Sequence, residues 1–218
     1  MLTPFQARAR DALDASPFFG GLSELDMRWV HRSSVRKGES LFEKGDPTDR
    51  LYALVGGQMK LFSHAADGRE ISFGLVAPGE LVGEIGIFDG APRHASASAL
   101  ANTELATIDR RDLEPVLDRH PELRAELASA AAEAARRLSE RIEDTAFLSI
   151  EARVEKALGD FAHRFGERID GGIRIRLRQQ DLADALGLSR ESVSKVLTSP
   201  VMRGKLVLGR GRIDLVGA

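Results

Sequence analysis

Short apolar runs separated by turn residues dominate the stretch between residues 35 and 107. Glycine, aspartate and proline recur there at nearly regular intervals, as tight bends require. Regular turns between short apolar runs are typical of an all-β sandwich or barrel. A tight hairpin turn is predicted at Asp67-Gly68, because both residue types tolerate a positive φ. The predicted strands cover residues 40–42, 51–55, 59–62, 71–76 and a long run over 95–107.

Helical patterns precede and follow this segment. Thr3 and Pro4 are suited to begin a helix, since proline is favoured in the first turn. A short helix is predicted over residues 110–118. A further helix is predicted over residues 23–30, and its apolar face would be formed by Leu22, Leu25 and Trp29.

Residues 122–145 form a long helical segment without glycine or proline, and the segment is rich in alanine, the strongest helix former. A seam with alternating four- and three-residue steps suits a partner helix, so the pattern predicts a homodimer through residues 122–148. The alternative is that the helix packs on its own barrel. The seam consists of Leu127, Ala131, Ala134, Leu138, Arg141, Thr145 and Leu148.

Capped helices, a short strand and a glycine break follow one another in the C-terminal third of the chain, and this pattern predicts a DNA-binding module. Ser149 is a suitable N-cap for a helix over residues 150–165, and residues 173–177 alternate as a short strand does. Residues 179–197 then give a short helix, a break at Gly187 and a second helix capped by Ser189, which is a helix-turn-helix pattern. The apolar positions that would be buried are Leu182, Ala185, Leu186, Val193, Val196 and Leu197.

The second helix of this pattern carries polar side chains opposite its valines. Arginine and lysine suit guanine O6 and N7, and glutamate suits cytosine N4. The alternative is a helical hairpin with a solvated charged face. A hairpin wing is predicted over residues 205–215, where Arg210 at the tip would contact a phosphate. The candidate DNA-binding residues are Gln179, Ser189, Arg190, Glu191, Ser192, Ser194, Lys195 and Arg210.

Residues 83–97 look like a pocket for a phosphate joined to a ribose. The Glu84 carboxylate is a suitable acceptor for a sugar hydroxyl, and the planar guanidinium of Arg93 offers several N–H donors for a phosphate. Residues 86–90 between them suit one helical turn whose N–H groups would also face the anion.

The distribution of charge and the absence of certain residue types exclude several classes of site. Residues 150–218 hold 13 Lys and Arg against 9 Asp and Glu, so the basic charge lies at the C-terminal end of a chain with net charge −2. The absence of cysteine excludes disulfides, thiolate zinc sites and cysteine nucleophiles. No apolar run reaches membrane-spanning length and no signal-peptide core is present, so a cytoplasmic protein without membrane partners is expected. No metal-ligand spacing links the five histidines, His31, His64, His94, His120 and His163.

The motifs in this order resemble the CRP/FNR family of bacterial transcription regulators. The resemblance covers nearly the whole chain: the barrel signature RKGESLFEKGDPTDRLYALVGGQMKLF, the cassette GEIGIFDGAPRHASASA, the long helix, the hinge AFLS and the segment DLADALGLSRESVSKVL. It implies an α+β architecture with an N-terminal β-roll (jelly-roll) cyclic-nucleotide-binding domain over 1–120. A dimerisation helix and hinge would cover 121–148, and a winged helix-turn-helix would cover 149–218.

The resemblance also implies roles for the cassette. Glu84 would bind the ribose 2′-hydroxyl and Arg93 the cyclic phosphate, while backbone groups near Gly83, Ile85 and Ala95 would complete the cradle. Leu138 and Ser139 fall where the family's cAMP receptors have a Thr-Ser pair that reaches the purine. His94 stands where those receptors have Ser or Thr, and it would either touch the ligand or lie at the barrel rim.

The DNA-binding segment departs from the family at four positions. Lys195 replaces an arginine, and a lysine cannot make the bidentate fork with guanine. Pro200 would end the recognition helix near Thr198. Arg178 stands where relatives have a capping threonine, and Gln179 where some have a phosphate-binding arginine.

The sequence therefore predicts a homodimeric DNA-binding regulator that is switched by a cyclic nucleotide and reads a pseudo-palindromic site. The expected effector is cAMP first and cGMP second, with no covalent cofactor and no metal. One alternative is a regulator of the same fold that is ligand-independent or senses another nucleotide, haem or a gas. An enzyme such as a nucleotide hydrolase is disfavoured, because no nucleophile motif or carboxylate cluster is present. Contact with RNA polymerase is left open by the sequence.

Overall fold

A computed structural model describes residues 16–65 and 70–217. Their contacts divide into two compact units, one covering residues 16–63 and 73–137, the other residues 64–65, 70–72 and 138–217. The predicted helix start at Thr3-Pro4 and the hairpin turn at Asp67-Gly68 lie outside the described residues. Within the described ranges, no helix is both long and apolar enough to cross a membrane.

Two four-stranded sheets form the body of the first unit. One has the strand order β1-β8-β3-β6 and the other β2-β7-β4-β5. Eight strands in these two orders form a jelly roll, which confirms the predicted architecture. The strands are β1 His31–Val35, β2 Ser40–Phe42, β3 Arg50–Gly56, β4 Met59–His64, β5 Glu70–Val76, β6 Leu81–Val82, β7 Ser96–Ala99 and β8 Thr103–Asp109.

The predicted strands are confirmed with three changes, one of which is the short strand β6, absent from the prediction. The run over 95–107 is two strands, because the chain turns at residues 100–102, where the Leu100 N–H bonds to the Gln58 carbonyl at 2.8 Å. Strand β1 was not predicted, since its residues are mostly polar and exposed. It pairs antiparallel with β8 along all five of its residues.

Strand β3 is buried on both faces. Side chains alternate along a strand, so Tyr52 and Leu54 point between the two sheets while Leu51 and Ala53 point to the opposite face. The first pair belongs to a core cluster that fills the jelly roll. The second pair belongs to a cluster shared with the helices that pack on the outside of the sheet.

The N-terminal helical segment is shorter than predicted. After helix α1, Pro17–Gly20, only a single 3-10 turn forms at Asp26–Trp29. Leu25, expected on the buried face, is 62% exposed. The backbone carbonyl of Ser23 accepts bonds from two successive N–H groups, and its hydroxyl also binds the buried carboxylate of Asp26. This local bonding tightens the turn and directs Leu25 to the surface.

Three further helices belong to the first unit or begin in it: α2 Glu84–Asp89, α3 Arg110–Arg119 and α4 Pro121–Phe147. Helix α4 has 27 residues and is therefore about 40 Å long. Leu123 and Leu127 are buried in the core cluster of the first unit. The prediction that Leu127 begins the dimer seam is therefore wrong, because this turn of the helix packs on its own jelly roll.

The second unit carries the helix-turn-helix. Helix α5, Ile150–Phe165, begins at Ser149, whose hydroxyl accepts a bond from the Ala152 N–H, as predicted. Helices α6, Gln179–Leu186, and α7, Arg190–Leu197, follow. A four-stranded sheet of order β11-β12-β10-β9 completes the unit. Its strands are β9 Glu167–Ile169, β10 Gly172–Ile175, β11 Leu206–Gly209 and β12 Arg212–Val216.

Two expectations for this unit need correction. The predicted strand over 173–177 ends at Ile175, and it pairs with β9, which was not predicted. Arg141, expected in the dimer seam, instead donates to the Ala185 carbonyl at 2.6 Å. Arg153 donates to the neighbouring Leu186 carbonyl. These arginines satisfy backbone carbonyls at the C-terminal end of α6, where positive charge is favourable.

Candidate functional site

Arg93 is held in place by its backbone and by two aromatic rings. Its N–H bonds to the Asp46 carbonyl at 2.9 Å, and its carbonyl accepts from the Gly45 N–H at 2.8 Å. The guanidinium carbon lies 4.3 Å from the centre of the Phe42 ring and 5.5 Å from that of Tyr52. The side chain is therefore fixed inside the jelly roll rather than free at its rim.

The Arg93 guanidinium is buried without a close counter-ion. The residue is 4% exposed; Nη2 donates to the Arg50 carbonyl at 2.7 Å and Nη1 to the Gly83 carbonyl at 3.3 Å. Its nearest carboxylate oxygen in an ion pair, on Asp49, is 3.9 Å away. Nε is buried and has no hydrogen-bond partner within the described residues. Desolvation lowers the pKa of Arg93, and a bound anion would relieve that cost.

Gly83 allows the arginine to approach the start of helix α2. Its φ of 88° is left-handed, and a Cβ at this position would overlap with Arg93 Nη1. A second close approach occurs at Gly86, where a Cβ would overlap with the Thr48 hydroxyl. The backbone requirement at Gly83 and Gly86 explains why small residues stand at these places in the cassette.

Glu84 follows Gly83 and is 8% exposed. Burial raises its pKa, and backbone N–H groups of Glu84 and Gly83, together with the charges of Arg137 and Arg93, oppose that shift. The carboxylate thus lies among hydrogen-bond donors and two guanidinium groups. An acceptor in this position can bind a ligand hydroxyl.

The other cassette residues flank this pair. Ala95 is buried, and Ile85 is half-buried on α2. The His94 ring lies 6.3 Å from the Phe73 ring. Its pKa is lowered because the ring is partly desolvated, with Arg93 acting in the same direction. His94 is therefore a neutral imidazole next to the arginine at physiological pH.

A cavity of about 280 Å³ opens beside Glu84 within the first unit. Helix α4 contributes one wall through Ser129, Glu133 and Arg137. Leu138 and Ser139, predicted to reach the purine, are exposed on the same helix but belong to the second unit. Their role as ligand contacts stays a prediction.

The helix-turn-helix has the geometry that its sequence predicts. Gly187 adopts φ of 64° after α6, and the Ser189 hydroxyl accepts from the Ser192 N–H at 3.1 Å. Val193, Val196 and Leu197 are buried beneath α7, which ends at Leu197 with Thr198 as its C-cap.

The candidate DNA-reading side chains lie on the outer face of this motif. Arg190, Glu191 and Lys195 are exposed on α7, and Ser194 is half-buried. Ser189 and Ser192 bond to one another at 3.0 Å, so both contribute to the helix cap. Gln179 begins α6 and is half-buried, while Arg210 is exposed at the tip of the β11–β12 hairpin.

Arg178 occupies the N-cap position of α6. Asp181 accepts from the Arg178 backbone N–H at 3.1 Å and from its Nε at 2.8 Å. Asp181, the third residue of α6, thus supplies the half of a capping box that accepts from the N-cap backbone N–H.

Sequence reasoning missed several residues that shape the pocket. The Phe42 and Tyr52 rings both lie against the arginine, but an aromatic residue in a strand ordinarily signals core packing. Arg137 lies in the cavity wall, on the helix whose pattern predicts a dimer seam. The four-residue spacing of Ser129, Glu133 and Arg137, which places them on one helix face, was the available signal.

Comparison with known proteins assigns both units to families. Residues 32–120 match the family model of the cyclic nucleotide-binding domain. Residues 152–216 match that of the Crp-like helix-turn-helix domain.

Two relatives are similar over most of their length. The CRP-like cAMP-activated global transcriptional regulator of Mycobacterium tuberculosis is 34% identical over 170 residues, 77% of this chain and 76% of the relative. The cyclic AMP receptor protein of Thermus thermophilus is 32% identical over 209 residues, 93% of this chain and 94% of the relative.

A solved structure agrees with this assignment. The crystal structure of a CRP/FNR-family transcriptional regulator from Thermus thermophilus has a TM-score of 0.72 and 26% identity, covering 85% of this chain and 93% of the other. With both family models in order along the chain, the chain belongs to the CRP/FNR family of cyclic-nucleotide-binding, DNA-binding transcription regulators.

Proposed function

We propose that this protein is a homodimeric regulator whose DNA binding is switched by a 3′,5′-cyclic nucleotide in the jelly-roll pocket. The observation that carries the effector part is the buried Arg93 guanidinium, whose Nε has no hydrogen-bond partner and which has no close counter-ion among the residues that the structure describes. A cyclic phosphate supplies the missing negative charge. Glu84, one residue beyond the glycine that Arg93 contacts, supplies the acceptor for the 2′-hydroxyl.

The choice of nucleotide rests on the relatives and on the pocket. The names of the Mycobacterium tuberculosis and Thermus thermophilus relatives specify cAMP. The ribose and phosphate contacts of Glu84 and Arg93 are common to cAMP and cGMP. We therefore infer cAMP as the first candidate and cGMP as the second.

Helix α4 supports the homodimer. Beyond the turns that pack on the jelly roll, Leu138 is 37% exposed and Ile142, about one helical turn further along the same face, is 72% exposed. Large apolar side chains left in water on one helix favour burial against a second copy. The seam proposed for the partner begins after Leu127 and lies within residues 121–148, between an effector domain over 1–120 and a DNA-binding domain over 149–218.

The DNA-binding surface follows from the exposed side chains of α7 and the wing. Arg190 and Lys195 would donate to guanine, Glu191 would accept from cytosine, and Arg210 would bind a phosphate. In a dimer, two recognition helices about 34 Å apart match successive major grooves, so the site is a pseudo-palindrome. A ligand favours the DNA-binding arrangement of the dimer only to the extent that it binds this arrangement more tightly than the arrangement that does not fit DNA.

Calorimetric titration of purified protein with cAMP and with cGMP tests the effector. We expect saturable binding of at least one nucleotide, loss of binding in Arg93→Ala, and unchanged binding in Arg111→Ala, whose arginine is on the outer surface. A wild-type protein that binds neither nucleotide would identify a regulator with another signal or none. Sedimentation with and without ligand tests the dimer.

A further inference from the structure

The cavity beside Glu84 contains an arginine that no part of the proposed phosphate and ribose recognition uses. Arg137 and Glu133 line this cavity from helix α4, opposite residues 78–81. Their side chains face the same way because they are one helical turn apart, and Arg137 Nη1 lies 3.5 Å from Glu133 Oε1. A donor group and an acceptor group therefore stand side by side on one wall.

This wall lies close to the carboxylate proposed to bind the ribose. Glu84 lines the same cavity. The positive charge of Arg137 opposes the burial-induced rise in the pKa of Glu84, and its effect on this pKa is larger than that of Arg93. If the ribose is bound at Glu84, as the proposed function requires, a purine attached to that ribose would enter the cavity that Glu84, Glu133 and Arg137 line together. The volume of about 280 Å³ is at the lower end of small-molecule sites.

Guanine and adenine present different edges to such a wall. Guanine has two neighbouring acceptors, O6 and N7, which match the donor fork of an arginine. Adenine places an amino donor beside N7, and a guanidinium has no acceptor for it. The Glu133 carboxylate can accept from the N1–H and N2–H groups of guanine.

We propose that Arg137 is a specificity-determining residue of the effector pocket, where its guanidinium binds O6 and N7 of a guanine base. In this arrangement cGMP gains a contact that cAMP lacks, which opposes the order of effectors that the relatives' names suggest. Glu133 orients the arginine and accepts from the same base. This inference rests on the proposed cyclic-nucleotide site and identifies the part of that site that distinguishes one purine from the other.

Titration of the full-length protein with cGMP and cAMP, in wild type and Arg137→Ala, tests the proposal. We expect the variant to lose about tenfold in cGMP affinity, which corresponds to about 1.4 kcal/mol, and to change its cAMP affinity by less than about threefold. This loss is at the low end of the free-energy range for a bidentate arginine–guanine pair, because Arg137 is partly exposed. Arg136→Ala, which removes the neighbouring exposed arginine, should leave both affinities unchanged.

Two further measurements separate base reading from an effect on Glu84. Arg137→Lys keeps the positive charge near the carboxylate but loses the fork, so it should also weaken cGMP selectively. Cyclic inosine monophosphate keeps O6 and N7, so Arg137→Ala should weaken it as it weakens cGMP. Equal losses for cAMP and cGMP in Arg137→Ala, or no loss for either, would overturn the proposal. Wild-type protein that binds neither nucleotide would instead refute the cyclic-nucleotide site itself.

Discussion

Replacement of Gly83 by alanine should separate nucleotide binding from stability. The residue has φ of 88°, and the left-handed conformation costs an L-residue about 1–2 kcal/mol. An added Cβ would also overlap with Arg93 Nη1, so the guanidinium must leave the position in which Nε is free. We expect Gly83→Ala to weaken cyclic-nucleotide binding roughly 10- to 100-fold, the range for charge-assisted hydrogen bonds worth about 1.5–3 kcal/mol.

Gly38→Ala is a matched control for the backbone strain. Gly38 has φ of 87°, but a Cβ there would meet nothing within 4 Å. Both variants should lower the melting temperature of the first unit by a few degrees, since about 1–2 kcal/mol shifts a domain of this size by roughly 2–8 °C. Only Gly83→Ala should also lose nucleotide affinity.

Isothermal titration and scanning calorimetry on the three proteins supply both quantities. If Gly83→Ala binds cAMP or cGMP as tightly as the wild type, the placement of Arg93 at the ligand phosphate is refuted. An equal loss of affinity in Gly38→Ala would show that general strain, rather than displacement of the arginine, weakens binding.

Three further outcomes follow from the same geometry. Because burial raises the pKa of Glu84 above its ordinary 4.5, nucleotide affinity should begin to fall on acidification at a higher pH than it would with an exposed glutamate. Glu84→Gln should abolish this pH dependence in titrations. The contribution of Glu84 to folding stability has the opposite sign, since the folded state binds the proton more tightly and gains stability as the pH falls through the folded pKa. Arg141→Ala should destabilise the second unit by about 1–2 kcal/mol in scanning calorimetry, because the Ala185 carbonyl loses a charged donor, whereas an unchanged transition would contradict the role of this contact. Lys195→Arg should raise affinity for guanine-containing half-sites about tenfold in mobility-shift titrations by restoring a bidentate fork, and an equal gain on unrelated DNA would indicate phosphate contact instead.

The helix-turn-helix could be predicted from the sequence because its signals are local. Ser189 caps α7 through an N–H three residues away, and Gly187 provides the left-handed turn between the helices. The end of α7 at Leu197 agrees with the effect of Pro200 on the residues before it. Each of these features depends on a few neighbouring residues, so no knowledge of tertiary packing is needed.

The failures concern positions whose surroundings are set by distant residues. Leu127 has the spacing of a dimer seam, but burial in the first unit decides its packing. Leu25 follows a helical pattern, yet Asp26 is bound by Arg119 and His120, over ninety residues away, and the turn tightens there. Arg137 shares a cavity with Glu84, which is distant in sequence, and helical spacing alone does not show which part of the fold a helix face packs against.

DNA binding measured by fluorescence anisotropy, on a pseudo-palindromic duplex with and without cyclic nucleotide, tests the central claim most directly. The account predicts that cAMP or cGMP tightens binding by the wild type and that Arg93→Ala binds the duplex equally with and without nucleotide. An affinity of the wild type for DNA that no cyclic nucleotide changes, or an undiminished response in Arg93→Ala, would contradict it.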